Sequence, residues 1–451
     1  MFRTIFVAVI ILYGLFQSFR SPFYALLFYL WIAYFRPEFW LWSDWVTQLN
    51  LSLIVGVMVL GATVLSGRRL RFGVGPCLML LFLVQSFAST MVSTAFAFSF
   101  ASWQDFAKST IISLLIVSLV DDERSVRLTF VVIAFSLGLE SVKQGWAQML
   151  LNPGAANENS TAALGDNNGV AIGMFMLAAI MVALARTAPT HREKLAYRFG
   201  IIGIVYRGLS TFSRGGFLAC GALGIHSLLR SRRKFAAAVG IAVVCVLIVP
   251  VLSDGYWERM GTITTATADT ETANETSEGR IHFWQVAVVM ANAHPLTGVG
   301  HNAYSSVYDQ YDTSEGDYGG ARAVHSSWFA VLAELGYPGL LLFLMIIGNA
   351  LLACRRARKL AKKNPQLQNL GHFAVAIEGA LVAFAVGGTF TTFQYKEFLW
   401  HLFALSMVID RLVAERTAAL AAAPRAAAPV VQQPLRARIG VAAATGRAVR
   451  V

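Results

Sequence analysis

The chain has 451 residues, of which 56% are hydrophobic and 14% charged, and its formal net charge is +12. Soluble globular proteins carry about 25% charged residues, so this composition argues against a soluble chain and indicates a membrane protein. The positive charge lies in short loops between apolar segments, which is typical of membrane topology and argues against a nucleic-acid-binding protein. The four cysteines are scattered without a CxxC pair, so neither a zinc site nor a disulfide framework is expected.

A helix needs about 20 mostly apolar residues to cross a bilayer, and such segments recur along the chain. They predict an all-α polytopic membrane protein with 12 or 13 transmembrane helices and one long outer loop that contains short helices. The smaller number applies if two weak segments merge. The thirteen predicted spans are residues 3–18, 21–36, 49–66, 76–98, 104–120, 128–150, 169–186, 199–212, 215–230, 235–252, 326–353, 372–393 and 396–413.

These spans divide the chain into four parts. Residues 1–252 are predicted to form an N-terminal transmembrane bundle, 253–325 an outer loop, and 326–413 the C-terminal transmembrane helices. The tail 414–451 is rich in Ala, Pro and Arg, which predicts a disordered basic segment in the cytoplasm.

Lysine and arginine orient the bundle because they are enriched in cytoplasmic loops. Four basic clusters fall on one side, which we place in the cytoplasm: residues 68–71, 192–198, 230–234 and 355–363. The polar loop 151–168 and the outer loop then lie on the opposite side. Thirteen spans place the N-terminus outside and twelve place it inside, so the sidedness of the N-terminus stays open.

The outer loop holds ten acidic residues and only three arginines, Arg259, Arg280 and Arg322. A basic residue on the outer side runs against the topological bias, so these arginines are expected to meet a local need. The stretch 262–279 has little apolar content and is predicted to be mobile.

Apolar residues recur at helical spacing from Arg280 onward. They predict a helix on the membrane surface or on the bundle, with an apolar face made of Ile281, Trp284, Val288 and Ala291.

Arg214 lies on the outer side between two apolar segments, within Ser213-Arg214-Gly215-Gly216. The glycines allow a ligand close to the backbone and open a helix whose N-terminus favours anions. Arg214 and Arg280 together would offer two planar, permanently charged donor forks, which suit a diphosphate leaving group without a metal. The alternatives are that Arg214 contacts lipid phosphates and that Arg280 forms a surface salt bridge.

His325 sits where the outer loop meets the next span. Histidine is the side chain best suited to accept a proton near neutral pH, so His325 is a candidate base. The alternative is a core or interface histidine with a satisfied hydrogen bond. His301, beside Gly300, carries a weaker version of the same argument.

Other polar residues lie in or beside the predicted spans. Glu140 and Lys143 are three residues apart and can share one helical face, where an ion pair is the structural alternative to a functional role. Asn167 and Asn168 precede a span and could belong to a helix cap. No acidic cluster has metal-ligand spacing, so neither a metal nor a cofactor is expected.

The order of several short motifs resembles the O-antigen ligase superfamily, which includes O-antigen polymerases and protein O-oligosaccharyltransferases. These motifs are Ser213-Arg214-Gly215, Gly279-Arg280 with Trp284, Pro295-Leu296-Thr297-Gly298-Val299-Gly300-His301-Asn302, His325-Ser326-Ser327-Trp328 and Glu334-Leu335-Gly336-Tyr337-Pro338-Gly339. The N-terminal half is similar to exosortase A-associated O-glycosylation ligases, through Arg36-Pro37-Glu38, Val142-Lys143-Gln144-Gly145 and Asp166-Asn167-Asn168-Gly169. That subgroup usually has Asn-Pro-His at the first of these three motifs and Lys-Gly-Gly at the second.

The resemblance implies a metal-independent, inverting glycosyltransferase of the GT-C type in the bacterial inner membrane. Its donor would be a glycan on undecaprenyl diphosphate, and its acceptor a hydroxyl of a lipid A–core sugar or of a protein Ser or Thr, at the periplasmic face. Arg214 and Arg280 would bind the diphosphate, and His325 would activate the acceptor hydroxyl. The further substrate-binding candidates are Arg322, His301, Asn302, Lys143, Asn167, Asn168 and Trp328. The expected partners are the lipid-linked donor, the acceptor and membrane lipids, without nucleic acid.

Two alternatives stay open. An O-antigen polymerase would use the same lipid carrier but extend another lipid-linked glycan. A transporter or flippase for lipid-linked sugars would show internal repeats with broken helices near the membrane midplane. No clear repeat relates the two halves, and the notable residues lie at one face, which favours an enzyme. The sequence leaves the acceptor, the glycan and the oligomeric state open.

Overall fold

The computed structural model of the protein describes residues 2–39, 50–157, 160–231, 233–261 and 277–422. Within these ranges the chain is helical apart from turns, short 3-10 helices and one isolated bridge between Thr161 and Gly165. The described α-helices, in chain order, are α1 (Phe2–Ser18), α2 (Pro22–Phe35), α3 (Leu51–Leu65), α4 (Val74–Met91), α5 (Phe96–Leu119), α6 (Glu123–Leu151), α7 (Asn167–Arg186), α8 (His191–Leu209), α9 (Arg214–Arg230), α10 (Lys234–Ile248), α11 (Asp254–Gly261), α12 (Ser277–Ala293), α13 (Tyr304–Val307), α14 (Ser327–Lys363), α15 (Gln368–Gly387) and α16 (Glu397–Ala422).

All thirteen predicted spans coincide with helices, and α11, α12 and α13 belong to the outer loop. Three shorter apolar helices lie at the positions of α1, α2 and α3. Six segments are long and apolar enough to cross a membrane, judged by length and composition: Val74–Met91, Glu123–Leu151, Asn167–Arg186, Lys234–Val251, Ser327–Lys363 and Pro365–Gly387. The prediction of an all-α polytopic membrane protein is therefore confirmed.

The C-terminal tail begins later than the sequence predicts. Helix α16 continues to Ala422, so the prediction of a disordered tail from residue 414 was wrong for 414–422. The apolar residues of 397–413 simply run on into an Ala-rich stretch of high helix propensity. The rest of the tail lies outside the described residues, as does most of the predicted mobile stretch, which rejoins the described chain at Ser277.

Several spans begin at a polar residue that caps the first turn. A side-chain oxygen of Asp122, Asp166, Thr190 and Ser213 accepts a hydrogen bond from the amide three residues later, at the starts of α6, α7, α8 and α9. Such caps satisfy amides that have no partner within the helix. They fix the starts of α7 and α9, which both matter below.

Helix α7 forms the centre of the bundle, with almost its whole length buried between α8, α9 and α15. Small residues allow neighbouring helices to approach closely, as is common in membrane bundles. A Cβ atom on Gly145 of α6 would lie 1.9 Å from the carbonyl oxygen of Gly203 in α8. Helix α10 is the opposite case, because its apolar side chains are mostly exposed in the way a lipid-facing helix requires.

The outer loop has a hydrophobic core of its own. It is built around Phe283, Val286, Ala287 and Met290 of α12, which pack against α13 and the first turns of α14. The predicted apolar face of α12 was wrong for Ile281 and Val288, which are exposed, whereas Trp284 and Ala291 are packed as predicted. Apolar residues occur all round this helix, so periodicity alone did not identify the face that packs on the bundle.

Two of the sequence motifs meet at a break in α14. Gly336 has non-helical torsions (φ 69°, ψ −173°) and interrupts the helix. The backbone of 295–300 docks there, with Val299 N–H donating to Ala333 O at 2.9 Å and Tyr337 N–H donating to Pro295 O at 3.0 Å. A Cβ on Gly298 would lie 2.3 Å from the carbonyl carbon of Glu334. Both glycines are therefore required for the close approach of two backbones.

Candidate functional site

The starts of α7 and α9 and the end of the outer loop enclose a pocket of about 270 Å³, which we call the arginine pocket. Its wall comes from five separate stretches of the chain. The lining residues are Asn167, Asn168, Ser213, Arg214, Arg259, Arg280, Phe283, Ala321, Arg322, Ala323 and His325.

Two helix N-termini contribute to this pocket. Ser213 Oγ accepts a hydrogen bond from Gly216 N–H at 3.1 Å at the start of α9, and Asp166 Oδ1 accepts one from Gly169 N–H at 2.8 Å at the start of α7. Asn167 Nδ2 donates to Thr211 O at 3.4 Å and so ties the start of α7 to the turn before Arg214. The positive ends of two helix dipoles therefore lie at the same wall, which favours an anion.

The described lining of the arginine pocket is positively charged. It holds four arginines and no carboxylate. Arg259 Nε donates to the carbonyl oxygen of Phe212 at 3.1 Å, and Arg322 Nε donates to the carbonyl oxygen of Tyr318. Guanidinium groups stay protonated at all relevant pH values, so this wall is permanently cationic.

His325 is held at the edge of the arginine pocket by the residues on either side. Trp284 Nε1 donates to the carbonyl oxygen of Val324 at 3.1 Å. Ser327 N–H donates to Gly388 O at 2.7 Å, and Ser327 Oγ donates to Thr391 O at 2.9 Å. His325 has a positive φ of 47°, a conformation that costs about 1–3 kcal/mol and persists only where the surroundings impose it.

Six of the ten candidate site residues meet in the arginine pocket: Arg214, Arg280, Arg322, His325, Asn167 and Asn168. Four lie elsewhere. Lys143 Nζ pairs with Glu140 Oε1 at 3.2 Å and is well exposed on α6. This is the ion pair that the sequence analysis gave as the alternative to a functional role. Trp328 Nε1 donates to Thr389 Oγ1 at 3.1 Å, which connects α14 to the turn that follows α15.

His301 and Asn302 lie away from the arginine pocket. The His301 ring is fully buried, with ring centroids 5.1 Å from Phe106 and 4.0 Å from Tyr395. Burial lowers the pKa of His301 to about 3, far below the range that suits a general base at neutral pH. Asn302 lines a second pocket, described below.

The part of the chain that forms most of the arginine pocket matches a known family. Residues 199–344 match the family model described as O-antigen ligase, and this range includes all four arginines of the pocket and His325. This match supports membership of the O-antigen ligase and polymerase superfamily.

Residues 1–187 match a family of unknown function, DUF5935. A search of curated proteins gives no significant match. Membership implies a glycosyltransferase-like ligase or polymerase activity that uses a lipid-linked glycan in a membrane.

The sequence analysis missed one charged residue of the arginine pocket. Arg259 on α11 was noted as one of three arginines in an acidic loop but was not proposed for the site. Its hydrogen bond to Phe212 O places it at the pocket wall, although it lies more than twenty residues along the chain from both Arg214 and Arg280. The unusual charge of the residue for its loop was the available signal.

The role expected for the glycines after Arg214 needs correction. A Cβ on Gly216 would lie 2.6 Å from Ala171 Cβ, and one on Gly215 would lie 2.9 Å from Phe390 Cβ. Both positions are packed against neighbouring segments rather than open to a ligand. The glycines therefore bring the start of α9 close to α7 and to the turn after α15.

A second pocket of about 260 Å³ lies on the same side of the bundle, and we call it the Lys396 pocket. It is formed by the ends of α2 and α5, the turn before α7 and the stretch before α16. The lining residues are Tyr34, Arg36, Ser102, Asp105, Phe106, Ala162, Ala163, Asn302, Thr392, Phe393, Gln394, Tyr395, Lys396 and Glu397.

Proposed function

We propose that the protein transfers a glycan from undecaprenyl diphosphate to an acceptor hydroxyl, without a metal ion, at the periplasmic face of the bacterial inner membrane. The observation that carries this proposal is the arginine pocket, in which four arginines, two helix N-termini and His325 share one wall. The match of residues 199–344 to the O-antigen ligase family supports the same class of donor.

The diphosphate is the leaving group of this reaction. When the bond between the anomeric carbon and the phosphate oxygen breaks, its electron pair remains on the diphosphate, whose negative charge increases. Arg214 and Arg280 bind the diphosphate and stabilise that developing charge through charge-assisted hydrogen bonds, aided by the N-termini of α7 and α9. Arg259 and Arg322 add to the same cationic field.

His325 is the one histidine of the described lining, and histidine is the side chain best suited to accept a proton near neutral pH. We assign to it the proton of the acceptor hydroxyl. The hydroxyl oxygen attacks the anomeric carbon from the face opposite the diphosphate, its proton passes to His325, and the new glycosidic bond has inverted configuration. The arginines cannot take this role because they remain protonated.

The acceptor is a lipid A–core sugar or a protein Ser or Thr, and an O-antigen polymerase that extends a lipid-linked glycan uses the same bond-making step. The test is a transfer assay with the purified full chain in lipid nanodiscs, in EDTA, with an undecaprenyl-diphosphate-linked glycan. Lipid A–core, a Ser/Thr-containing peptide and the donor itself are offered as acceptors in parallel reactions.

The assay compares wild type with Arg280→Ala and His325→Ala. The matched controls are Arg198→Ala and His191→Ala, since both residues are exposed on α8 and line neither pocket. We expect transfer by wild type and by both controls, with loss in the two site variants. Activity that requires added Mg²⁺, or full activity in both site variants, would overturn the proposal. The acceptor that is labelled distinguishes ligase, protein glycosylation and polymerase.

A further inference from the structure

The Lys396 pocket is not used by the proposed chemistry, yet it presents polar groups that have no partner among the described residues. Gln394 is 2% exposed, and its Oε1 accepts no hydrogen bond from the described residues. Its Nε2 faces Glu334 Oε2 at 3.5 Å, and its backbone carbonyl accepts from Trp400 Nε1 at 2.8 Å. The amide is therefore fixed in place, which leaves Oε1 as an acceptor for a ligand in the pocket.

Two charged groups of opposite sign lie beside this acceptor. In the part of the chain that the structure describes, neither Lys396 nor Glu397 forms an ion pair or a side-chain hydrogen bond, although both line the pocket. Lys396 Nζ reaches the turn before α7, where a Cβ on Gly165 would lie 2.9 Å away from it. A half-buried ammonium and carboxylate kept apart in this way are available to a bound molecule.

The combination of groups identifies the ligand chemistry. Lys396 only donates hydrogen bonds, whereas Glu397 and Gln394 Oε1 only accept them. An anion would meet the acceptors unfavourably, and a cation would meet Lys396 and Arg36 unfavourably. A hydroxyl group both donates and accepts, so a neutral molecule that carries several hydroxyls satisfies this lining better than an ion does.

The size and walls of the pocket narrow the ligand further. Its volume of about 260 Å³ is below the range of about 300–1,000 Å³ that is usual for drug-sized ligands. Four aromatic residues, Tyr34, Phe106, Phe393 and Tyr395, supply ring walls beside the polar groups. One sugar ring, with hydroxyls at its rim and C–H groups on its faces, matches both properties.

The Lys396 pocket shares its boundaries with the arginine pocket. The turn before α7 contributes Ala162 and Ala163 to one pocket, and the first turn of α7 contributes Asn167 and Asn168 to the other. On the opposite side, Phe393 N–H donates to Ser327 Oγ at 2.9 Å, two residues after His325. A molecule in the Lys396 pocket is thus bound next to the edge where His325 lies.

We propose that the Lys396 pocket binds a single sugar ring of the glycan substrates, through Lys396, Glu397 and Gln394. The inference rests on the proposed function for its choice of substrate, but binding to the pocket is testable without transfer.

The binding test uses saturation-transfer NMR on the full chain in nanodiscs, with methyl glycosides of neutral hexoses, N-acetylhexosamines and uronic acids as probes. We expect at least one neutral glycoside to receive saturation from wild type, with binding weakened about tenfold or more in Gln394→Leu and Glu397→Gln, as loss of a hydrogen bond to a fixed polar group predicts. Arg280→Ala should bind the glycoside as wild type does. Absence of any glycoside signal, or signals in both pocket variants as strong as that of wild type, would overturn the proposal.

The kinetic test tells which substrate supplies the ring. With donor and acceptor titrated separately, Lys396→Met is expected to raise the KM of one substrate about tenfold while changing kcat less than about twofold. A raised acceptor KM assigns the ring to the acceptor, and a raised donor KM assigns it to the transferred glycan. An unchanged KM for both would contradict the inference. Melting temperatures of all variants show whether they fold. An inactive wild type would contradict the proposed function, whereas the NMR binding test would still decide whether the pocket binds a sugar.

Discussion

The indole nitrogen of Trp284 donates a hydrogen bond of 3.1 Å to the carbonyl oxygen of Val324, the residue before His325. Trp284 lies one turn after Arg280 on α12, and its ring stacks on Phe329 of α14 at 5.2 Å. One helix therefore places a cation for the diphosphate and fixes the backbone beside the proposed base. The four-residue spacing places Arg280 and Trp284 on neighbouring turns of the same helix.

Replacing Trp284 by Phe retains a stacking ring but removes the hydrogen bond to Val324. Because a typical hydrogen bond contributes about 0.5–1.5 kcal/mol, we expect transfer to fall by roughly three- to tenfold through misplacement of His325. The measurement is kcat in the transfer assay. Trp146→Phe is the matched control, since Trp146 Nε1 also donates to a backbone carbonyl, Phe199 O, at 3.1 Å, outside both pockets. Equal losses in the two variants would argue against a role for Trp284 in the site.

Arg259 is expected to matter although no motif marks it. Arg259→Met keeps the aliphatic stem but removes one of four cations from the arginine pocket and the hydrogen bond to Phe212 O. We expect the KM for the lipid-linked donor to rise about tenfold, as loss of one charge-assisted hydrogen bond predicts. Arg198→Met on α8 is the control. A donor KM that stays at the wild-type value would place Arg259 outside the binding machinery.

Charge and shape can be separated at Arg280. Arg280→Lys keeps the positive charge but replaces a planar fork by a single ammonium, which cannot bind two phosphate oxygens in the same bidentate manner. We expect the variant to retain more transfer than Arg280→Ala but less than wild type. If lysine restores full activity, the side chain acts by net charge alone and the bidentate contact is not needed.

The docking of the two motifs at the α14 break predicts opposite effects for two glycines. Gly298→Ala forces an alanine to φ 70° and places its Cβ 2.3 Å from the Glu334 carbonyl carbon, so we expect a loss of about 1–3 kcal/mol or more in unfolding free energy. Gly348→Ala lies within α14 with no atom within 4 Å of the new Cβ, and should stabilise by about 0.5–1 kcal/mol. Thermal unfolding in nanodiscs measures both. Similar melting temperatures for the two variants would contradict the docking.

The outer loop should lose stability in acid through Asp312. Burial raises the pKa of this carboxyl, but hydrogen bonds from His282, Ser314 and Gly316 outweigh it and leave the pKa below its usual value. A carboxyl with a lowered native pKa stabilises the fold above its unfolded pKa of about 3.9, and this contribution is lost as pH falls from there through the native pKa. We expect Asp312→Asn to melt below wild type at pH 6, with a difference that shrinks below about pH 4. Asp317→Asn, at an exposed position, should show no such trend.

The sequence predicted the helical spans well because a long apolar segment has few alternatives in lipid. It also identified six residues of the arginine pocket, since arginines and a histidine at outer span ends are conspicuous against an apolar background. The sequence could not show that His301 is buried and His325 lies at the pocket. The burial of His301 between Phe106 and Tyr395 depends on how the loop packs on the bundle. Arg259 and the buried face of α12 were missed for the same reason. Both depend on tertiary packing that leaves no period in the chain.

The break at Gly336 also bears on the order in which the protein is made. The first turns of α14 contribute Ala330 and Ala333 to the core of the outer loop, so α12 and α13 cannot complete that core until this part of the chain has been synthesised. The start of α9, with Arg214, has by then long left the ribosome. The arginine pocket consequently forms late during biogenesis, and a chain stalled before α14 would carry the spans up to α10 but not the completed proposed active site.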